Sequence, residues 1–463
     1  MHISIHQQHK FVSEIIRAYD IRGIFGENLK EEDAFFIALK LLQARRNMGL
    51  NGRICVGYDG RLSSPALYRA LLSGFMTSSV EIIDMGLIPT PALYFAASYL
   101  ECIDMAVIIT GSHNPSNHNG FKIILNGITL FGEDLKKLAN LELIYDEENS
   151  KNFKITEYDI SNEYIEVLKK LISNNNSLKV IWDPGNGAAC NILKKLISQL
   201  PGQHLIINDE IDGNFPSHHP DPSKTENLQQ LIAAVKSESY DFGIAFDGDA
   251  DRLGVVDKNG NILFGSHLLF IFACDLIKRI PNAKILTDVK MSSLIMDELR
   301  KLDCHIIQYK TGHALIKAKM KEIGAMLAAE MSGHIFFAEN YYGFDDAIFG
   351  ACKFLEIAYQ NPDLIKKSLE IMKQAFDIIE YKIAADDSQK ENFMVNIITF
   401  LRNENYQLNE IDGIRVEEKK GWWLVRPSNT ENIISLTGEA YTAEAVLEIK
   451  KILNKLIAIG TQK

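Results

Sequence analysis

The sequence predicts an α/β protein that consists of three similar α/β/α domains with mixed, mostly parallel sheets and a smaller C-terminal α+β domain. Apolar stretches of strand length alternate with amphipathic stretches of helix length, as in sheets whose faces are covered by helices. The plan also repeats, because a strand that ends in an aspartate and leads into a helix recurs at Asp59, Asp183 and Asp288. After about Lys373 the pattern changes to short strands and a closing amphipathic helix.

The domain boundaries are predicted where polar passages interrupt this alternation. The chain has 463 residues, which is enough for four domains of ordinary size. We place these domains at 1–155, 156–258, 259–370 and 371–463. The smaller last domain is suited to act as a lid.

Composition excludes several classes of protein. The formal net charge is -11 and no basic block is present, which argues against a nucleic-acid partner. The six cysteines are scattered without a Cys-x-x-Cys pair, which indicates reduced, small core residues of a cytosolic protein. The N-terminus lacks the layout of a secretion signal, and the longest apolar run, 268–273, is too short to span a membrane. We expect a cytoplasmic monomer without a membrane partner.

The first domain contains the serine loop on which the functional prediction depends. The apolar run 105–109 predicts a buried strand, and its exit presents Ser112 between Gly111 and His113. A hydroxyl group at such an exit is a candidate nucleophile or carrier of a transferred group, although most loop serines are ordinary turn residues.

The sequence around the serine loop predicts two further features. Ser64 is expected to cap a helix whose first residue is Pro65. Asn119 and Gly120 form a hairpin signal that would bring Lys122 close to the serine loop.

The second domain contains three alternating aspartates. Strand 242–246 exits into Asp247, Asp249 and Asp251, after a helix for which Ser223 and Glu226 have the spacing of a capping box. An extended loop directs alternate carboxylates at one point, and such hard oxygen ligands suit Mg²⁺ or Ca²⁺. A solvated acidic turn is the alternative.

An EF-hand does not fit the aspartate loop. Arg252 stands where an EF-hand needs glycine, and Lys258 stands where it needs the bidentate glutamate. A magnesium site of the phosphoryl-transfer kind is therefore preferred.

The remaining candidates lie on later loops and suit a phosphorylated sugar. Glu330, Ser332 and His334 follow strand 325–329 and combine acceptors and donors that suit sugar hydroxyls. The loop after strand 422–425 offers phosphate donors, but an ordinary turn is equally compatible with it. These donors are Arg426, Ser428, Asn429 and Thr430. Candidate cations, acid/base groups and anion-pocket residues are Tyr19, Arg22, His113, Lys122, Lys290 and His313.

Six motifs in this order resemble the α-D-phosphohexomutase superfamily, and within it the bacterial phosphomannomutase/phosphoglucomutase group. The resemblance covers nearly the whole chain. The motifs are Thr-Gly-Ser-His-Asn-Pro from Thr110, Asn-Gly-Phe-Lys from Asn119, Asp-Gly-Asp-Ala-Asp-Arg from Asp247, Lys-Thr-Gly-His from Lys310, Glu-Met-Ser-Gly-His from Glu330 and Arg-Pro-Ser-Asn-Thr-Glu from Arg426. Ala329 and Asn432 depart from the residues common in the family at these positions, Gly and Pro.

The resemblance implies four domains around a central cleft and a mutase reaction. By resemblance, Ser112 carries a phosphoryl group, exchanges it with a hexose 1-phosphate or 6-phosphate, and passes through hexose 1,6-bisphosphate, which also serves as activator. Mg²⁺ would sit on the phosphoserine and on the three aspartates. Glu330 and Ser332 would hold the sugar hydroxyls, and the loop from Arg426 would hold the other phosphate.

The resemblance assigns the remaining candidates to the cleft. Lys122 and His334 are the candidate acid/base groups. The other residues that it places there are Tyr19, Arg22, His113, Arg252, Lys290, Gly312 and His313.

Three rival functions remain open. A phosphoglucosamine mutase usually has Gln where this chain has Met331. A Mg²⁺-dependent sugar phosphatase would hydrolyse the phosphoserine and release inorganic phosphate. A non-catalytic phosphosugar-binding protein would not need Ser112, Lys122 and the aspartates together.

Overall fold

A computed structural model describes residues 9–144, 152–237, 239–428 and 432–461. Its strands, in chain order, are β1 (Ile21–Ile24), β2 (Arg53–Tyr58), β3 (Glu81–Leu87), β4 (Ile103–Ile109), β5 (His118–Leu125), β6 (Ile128–Thr129), β7 (Lys154–Glu157), β8 (Lys179–Asp183), β9 (Gln203–Ile206), β10 (Phe242–Phe246), β11 (Leu253–Asp257), β12 (Ile262–Leu263), β13 (Ala283–Asp288), β14 (Cys304–Tyr309), β15 (Leu327–Ala329), β16 (Ile335–Phe337), β17 (Asp377–Ala384), β18 (Ile414–Glu418), β19 (Gly421–Pro427) and β20 (Ile433–Ala440).

The helices alternate with these strands through most of the chain. They are α1 (Glu31–Asn47), α2 (Ser64–Phe75), α3 (Thr90–Tyr99), α4 (Glu133–Asn140), α5 (Ser161–Lys169), α6 (Cys190–Ile197), α7 (Gln229–Ser237), α8 (Gly265–Ile277), α9 (Ser293–Arg300), α10 (His313–Ile323), α11 (Ala347–Gln360), α12 (Pro362–Met372), α13 (Asp387–Asn403) and α14 (Ala443–Gly460). Short 3₁₀ turns occupy Ser13–Ile15 and Thr225–Leu228.

The chain divides into two compact units, and neither is continuous in sequence. The first consists of Met1–Phe264 and Ser332–Gln360. The second consists of Gly265–Met331 and Asn361–Lys463.

The first unit contains two mixed sheets built on the same plan. In the first sheet β4, β2, β3 and β7 are parallel neighbours, and β5 joins β4 in antiparallel orientation. In the second sheet β10, β8 and β9 are parallel, and β11 joins β10 in antiparallel orientation. The loops β4–β5 and β10–β11 therefore occupy equivalent positions, at the carboxyl end of a buried parallel strand.

The strands that lead to these loops are buried because helices cover both faces of each sheet. Residues 105–109 of β4 are buried without a polar interruption, as expected for a strand inside a parallel sheet. On one face α1 and α2 pack together and bury Phe36, Leu71 and Phe75 completely. Each such side chain contributes about 1.5–3 kcal/mol when removed from water. This packing fixes the strand exits that carry the serine and aspartate loops.

The second unit contains β13, β14 and β15 of the third domain and the strands of the fourth domain. There β13 lies between β14 and β15 in parallel orientation. The fourth sheet is antiparallel, in the order β17-β20-β19-β18, and α13 and α14 pack on it over Ile397, Trp423 and Leu453. The predicted fold class is confirmed: three α/β domains precede a smaller C-terminal α+β domain. The exact domain boundaries stay a prediction, and part of the polar passage used for the first boundary lies outside the described residues.

Three local predictions were wrong in detail. Helix α2 begins at Ser64 after Ser63, and the Ser64 hydroxyl donates to Asp59 instead of capping the helix. Asn119 and Gly120 lie inside β5 and make no hairpin turn. Gly120 is required there because a Cβ would lie 2.0 Å from the carbonyl oxygen of Ile21 on the neighbouring strand β1.

The predicted capping box does not form either. The Ser223 hydroxyl donates to Asp221, and Lys224 precedes the 3₁₀ turn. The six cysteines are unpaired as expected, but Cys102 is exposed and is not part of the core. In the described part of the chain, no helix has the length and apolar character needed to cross a membrane.

Candidate active site

Ser112 lies in a tight loop between β4 and β5, and its hydroxyl faces the acidic loop of the second sheet. The residue is 3% exposed and has a φ of +48°, a left-handed conformation that non-glycine residues rarely adopt. Its amide donates to Thr110 Oγ1 at 2.9 Å, and its Oγ donates to Asp247 Oδ2 at 2.8 Å. The nucleophile candidate and the metal-ligand candidates are thus in direct contact.

The three alternating aspartates converge as the sequence predicts. Asp247, Asp249 and Asp251 are fully buried, and one carboxylate oxygen of each lies within 4.8 Å of the others. Asp247 Oδ1 also accepts the amide of Asp251 at 3.0 Å, which closes the loop. Burial and the other two carboxylates raise the pKa of Asp247 well above its usual range. The solvated-turn alternative is excluded by this burial.

Lys122 extends from β5 into the same cluster. Its Nζ donates to Asp249 Oδ2 at 2.6 Å and also to Asp251 Oδ2. Burial alone would lower the pKa of Lys122, but the two carboxylates outweigh it and hold this pKa well above the usual value. The ammonium is therefore charged, and it offers a proton and positive charge more readily than a lone pair.

The donor set of the cluster fits a divalent cation. Three carboxylates with one ammonium leave an excess of negative charge in a buried place, which is costly without a further cation. The Oδ1 atoms of Asp249 and Asp251 are buried and accept no hydrogen bond from the described residues. Thr90 Oγ1 and Lys122 both bind Asp249 Oδ2, which leaves its other oxygen for such an ion. Hard oxygen ligands are those preferred by Mg²⁺ and Ca²⁺.

His334 lies beside the cluster between a guanidinium and two carboxylates. Its Nε2 accepts a hydrogen bond from Arg252 Nε at 3.1 Å. Its Nδ1 lies 3.2 Å from Asp345 Oδ2 and 3.5 Å from Asp251 Oδ1. Because an arginine always keeps its protons, Nε2 must carry the lone pair and Nδ1 the proton. His334 therefore presents a basic nitrogen towards Arg252.

Two more of the predicted residues line the serine loop. Arg22 Nη1 donates to the carbonyl oxygen of Gly111 at 3.1 Å and to Asn114 Oδ1 at 2.9 Å. His113 is half-buried, and its Nδ1 lies 3.6 Å from Asp221 Oδ2. Burial, together with Arg252 and Arg22, holds the pKa of His113 well below its usual value, so this ring is neutral. Tyr19 is half-buried on the segment before β1.

The second unit contains several of the candidates for sugar and phosphate binding. Glu330 follows β15, is 1% exposed, and accepts the amide of Gly312 at 2.6 Å. Burial and the nearby Glu330 raise the pKa of Asp288 to about 7. Burial and the nearby Arg426 lower the pKa of Lys290. Lys290 and Arg426 thus form a pair of cations that an anion would stabilise.

Six further candidates remain, and the structure describes four of them. Arg426 is the residue before the last of β19, and its Nε donates to Asp412 Oδ2 at 2.6 Å. His313 begins α10, and Ser332 is a half-buried residue of the first unit. Ser428 is half-buried, and its carbonyl oxygen accepts a hydrogen bond from Lys390. Asn429 and Thr430 lie outside the described residues.

Sequence reasoning missed four residues that support the site. Thr90 binds Asp249, Asp345 lies behind His334, and Asp221 faces His113. Arg61 binds the backbone of the serine loop. Only Arg61 had a usable signal, since it stands between an aspartate and a serine at a strand exit.

The fold and this site together define a multidomain α/β enzyme whose serine faces a buried carboxylate cluster. Models of the phosphoglucomutase/phosphomannomutase family match in four consecutive parts: α/β/α domain I at 13–148, domain II at 162–260, domain III at 264–377 and the C-terminal domain at 371–456. The chain belongs to the phosphoglucomutase/phosphomannomutase family.

Individual relatives extend over nearly the whole chain. A phosphomannomutase/phosphoglucomutase of Pseudomonas syringae pv. tomato is 41% identical over 441 residues, covering 95% of this chain and 94% of the relative. A phosphoglucomutase of Neisseria gonorrhoeae is 40% identical and covers 96% of each chain. The crystal structure of a family protein from Burkholderia thailandensis has a TM-score of 0.87 at 33% identity, covering 97% of this chain and 98% of the other.

Proposed function

We propose that this enzyme interconverts hexose 1-phosphates and hexose 6-phosphates, of mannose, glucose or both, through a phosphoserine at Ser112 and a hexose 1,6-bisphosphate intermediate. The observation that carries the proposal is the hydrogen bond of 2.8 Å between Ser112 Oγ and Asp247 inside the carboxylate cluster. A serine hydroxyl in contact with a divalent-metal donor set, with a lysine beside it, suits phosphoryl transfer better than acyl transfer.

Asp247, Asp249, Asp251 and the phosphorylated Ser112 would hold Mg²⁺ in this scheme. Bound there, Mg²⁺ would neutralise charge that develops on the phosphoryl oxygens. The two oxygens of Asp249 and Asp251 that accept no hydrogen bond support this assignment.

We assign the base to His334 and the acid to Lys122. In the first half-reaction a hydroxyl of the hexose phosphate attacks the phosphorus, the Ser112 Oγ–P bond breaks, and the hydroxyl proton passes to His334 Nε2. In the structure Arg252 Nε donates a hydrogen bond to that nitrogen. This hydrogen bond would have to break before the substrate hydroxyl could bind there. The charged Lys122 gives a proton to the departing Ser112 oxygen, which becomes a hydroxyl again. The second half-reaction reverses these roles at the other phosphate.

Further residues of the chain carry groups that suit the hydroxyls and the second phosphate of such a substrate. We propose that Glu330 and Ser332 accept or donate hydrogen bonds to sugar hydroxyls. Lys290 and Arg426 carry the positive charge that a phosphate dianion would stabilise. His313, Ser428, Asn429 and Thr430 are proposed to complete the phosphate and sugar contacts. We further propose that the enzyme acts as a cytoplasmic monomer, which light scattering would test for oligomeric state.

Product analysis tests the proposed function. Mannose 1-phosphate, glucose 1-phosphate and glucosamine 1-phosphate are incubated with the enzyme, Mg²⁺ and a trace of glucose 1,6-bisphosphate. Wild type is compared with Ser112→Ala and with Ser116→Ala, a matched control at an exposed serine of the same loop. We expect hexose 6-phosphates without free phosphate, no turnover by Ser112→Ala and normal turnover by Ser116→Ala.

The other outcomes separate the rivals. Turnover of glucosamine 1-phosphate alone would identify a phosphoglucosamine mutase. Accumulation of inorganic phosphate would identify a phosphatase. Binding of sugar phosphates without any turnover would leave only a binding function.

A further inference from the structure

The guanidinium of Arg61 is bound entirely by the backbone of the serine loop and by one aspartate. Its Nη2 donates to the carbonyl oxygens of Ser112 at 2.7 Å and Asn114 at 2.6 Å. Its Nη1 donates to the carbonyl oxygens of Pro115 and of His118, the latter at 3.0 Å. The side chain is not exposed at all. One buried side chain thus fixes four peptide groups in a stretch of seven residues that contains the nucleophile.

Asp59 completes this arrangement from the other side. Its Oδ2 lies 3.2 Å from Arg61 Nε and accepts the amide of Gly111 at 3.1 Å. A Cβ at Gly111 would lie 2.4 Å from Arg61 Nε, so the loop is in van der Waals contact with the guanidinium. The ring of Phe215 covers the guanidinium, with its centroid 5.2 Å from Cζ. The loop is therefore held against a buried guanidinium that Phe215 covers.

The backbone of Ser112 needs such support. Its φ of +48° lies in the left-handed region, which costs free energy for a residue with a Cβ and persists only where the surroundings over-determine it. The Ser112 carbonyl oxygen, which Arg61 binds, belongs to the peptide group that follows this strained residue. Without that bond, Ser112 is able to relax to a negative φ, and its Oγ would turn away from Asp247.

Arg61 is not available as a phosphate ligand, although it lies beside the proposed phosphoserine. A guanidinium has five N–H groups, and in Arg61 the four on Nη1 and Nη2 donate to four carbonyl oxygens. The fifth, on Nε, is buried 3.2 Å from Asp59 Oδ2 without a hydrogen bond, and the side chain has no exposed surface from which to reach a phosphate. Arg22 approaches the same loop but is only partly buried, with its side chain 14% exposed. Arg22 is therefore accessible to a ligand, whereas Arg61 binds only the protein itself.

We propose that Arg61 is the positioning residue of the reaction: it holds Ser112 in the strained conformation that aligns its oxygen with the carboxylate cluster, and it does so without touching substrate. The inference rests on the proposed function, since it takes Ser112 as the group that is phosphorylated. It predicts a loss of transfer rate without a loss of sugar phosphate binding.

The test compares Arg61→Lys with Arg45→Lys. Arg45 is also a buried arginine of the first domain that binds a carboxylate and a carbonyl oxygen, from Asp104 and Gly52. These partners lie at the start of β2 and β4, whereas Ser112 follows the end of β4. A lysine ammonium has three donors and no planar fork, so it cannot replace the guanidinium at either place.

We expect Arg61→Lys to lower kcat about 100-fold with KM nearly unchanged, because an error of about 1 Å in alignment has this effect. Arg45→Lys should lower the unfolding temperature and leave kcat within about twofold of wild type. A kcat for Arg61→Lys near that of wild type would overturn the proposal. So would a rise in KM that matches the fall in kcat, since that result makes Arg61 a ligand.

Hydrogen exchange provides a readout that does not depend on activity. Amides of residues 110–118 should exchange faster in Arg61→Lys than in wild type or Arg45→Lys, and unchanged exchange would overturn the proposal. If wild type itself has no mutase activity, the proposed function fails while this measurement still tests the role of Arg61 in the loop. Should Arg61→Lys not fold, Arg61→Ala is assayed with added guanidinium ions. Rescue of kcat supports positioning, and a folded variant with normal kcat refutes it.

Discussion

The buried carboxyl group of Asp346 gives this protein a pH dependence of stability that can be measured. Asp346 is fully buried and precedes α11, where its Oδ1 accepts the amide of Phe349 at 2.8 Å as an N-cap residue does. The hydroxyls of Tyr164 and Tyr341 donate to it at 2.8 and 2.7 Å. Burial raises its pKa from 3.8 to about 6, although these donors act in the opposite direction.

The sign and size of the effect follow from this pKa. A carboxyl group whose pKa is raised on folding favours the folded state when it is protonated. This contribution to the free energy of unfolding is fully present below pH 3.8 and is lost as the pH rises through about 6. A difference of about 2 pKa units corresponds to about 3 kcal/mol, of which about 2 kcal/mol is lost between about pH 4.5 and about pH 7.5.

The substitution Asp346→Asn removes the titration and keeps one acceptor oxygen for the helix cap. Urea unfolding of wild type and variant is compared at both pH values. Wild type should lose about 2 kcal/mol of unfolding free energy between about pH 4.5 and about pH 7.5, and the variant should not. The free energy of unfolding of the variant should therefore rise by about 2 kcal/mol relative to that of wild type over this range. A stability difference that is the same at both pH values would refute the reasoning, because Asp346 would then not change its charge in that range.

Further predictions concern the site itself. Gly248→Ala places a Cβ 2.5 Å from the Ser112 carbonyl oxygen, so the loops must separate and kcat should fall about 100-fold in a steady-state assay. Asp249→Asn should weaken Mg²⁺ binding about 10- to 100-fold, measured by calorimetry, and unchanged affinity would exclude it as a ligand. Lys290→Met should raise KM about tenfold with kcat retained. Because burial and Arg426 lower the pKa of Lys290, the wild-type KM should rise with pH earlier than an ordinary lysine allows, and the variant should lack this rise.

The strand exits were predictable from sequence because a strand buried on both faces is an unbroken apolar run. A strand inside a parallel sheet is apolar on both faces, so 105–109 and 242–246 stand out as unbroken apolar runs that end at a polar loop. The convergence of Asp247, Asp249 and Asp251 followed from their alternation and is confirmed by the structure. The roles given to the individual site residues stay predictions.

The contacts that support the site were not predictable because they join distant parts of the sequence. Thr90 meets Asp249 across 159 positions, and no local pattern at either residue marks the pair. The Asn-Gly hairpin signal failed for a related reason. Gly120 is a glycine because strand β1 passes close to it, which is a tertiary requirement that has the same sequence signature as a turn.

The discontinuity of the first unit has a consequence for how the chain is made. Gly265–Met331 belongs to the second unit and separates Phe264 from Ser332–Gln360. A ribosome delivers the chain from its N-terminus, so Ser112 and the aspartates are synthesised well before His334 and α11. Until residue 360 has emerged, the nascent first unit lacks residues that pack on it, and the surface that they cover is exposed to water. A chaperone or a protease would bind the chain at that stage. Any fragment that stops at residue 264 lacks both the proposed base and part of its own core.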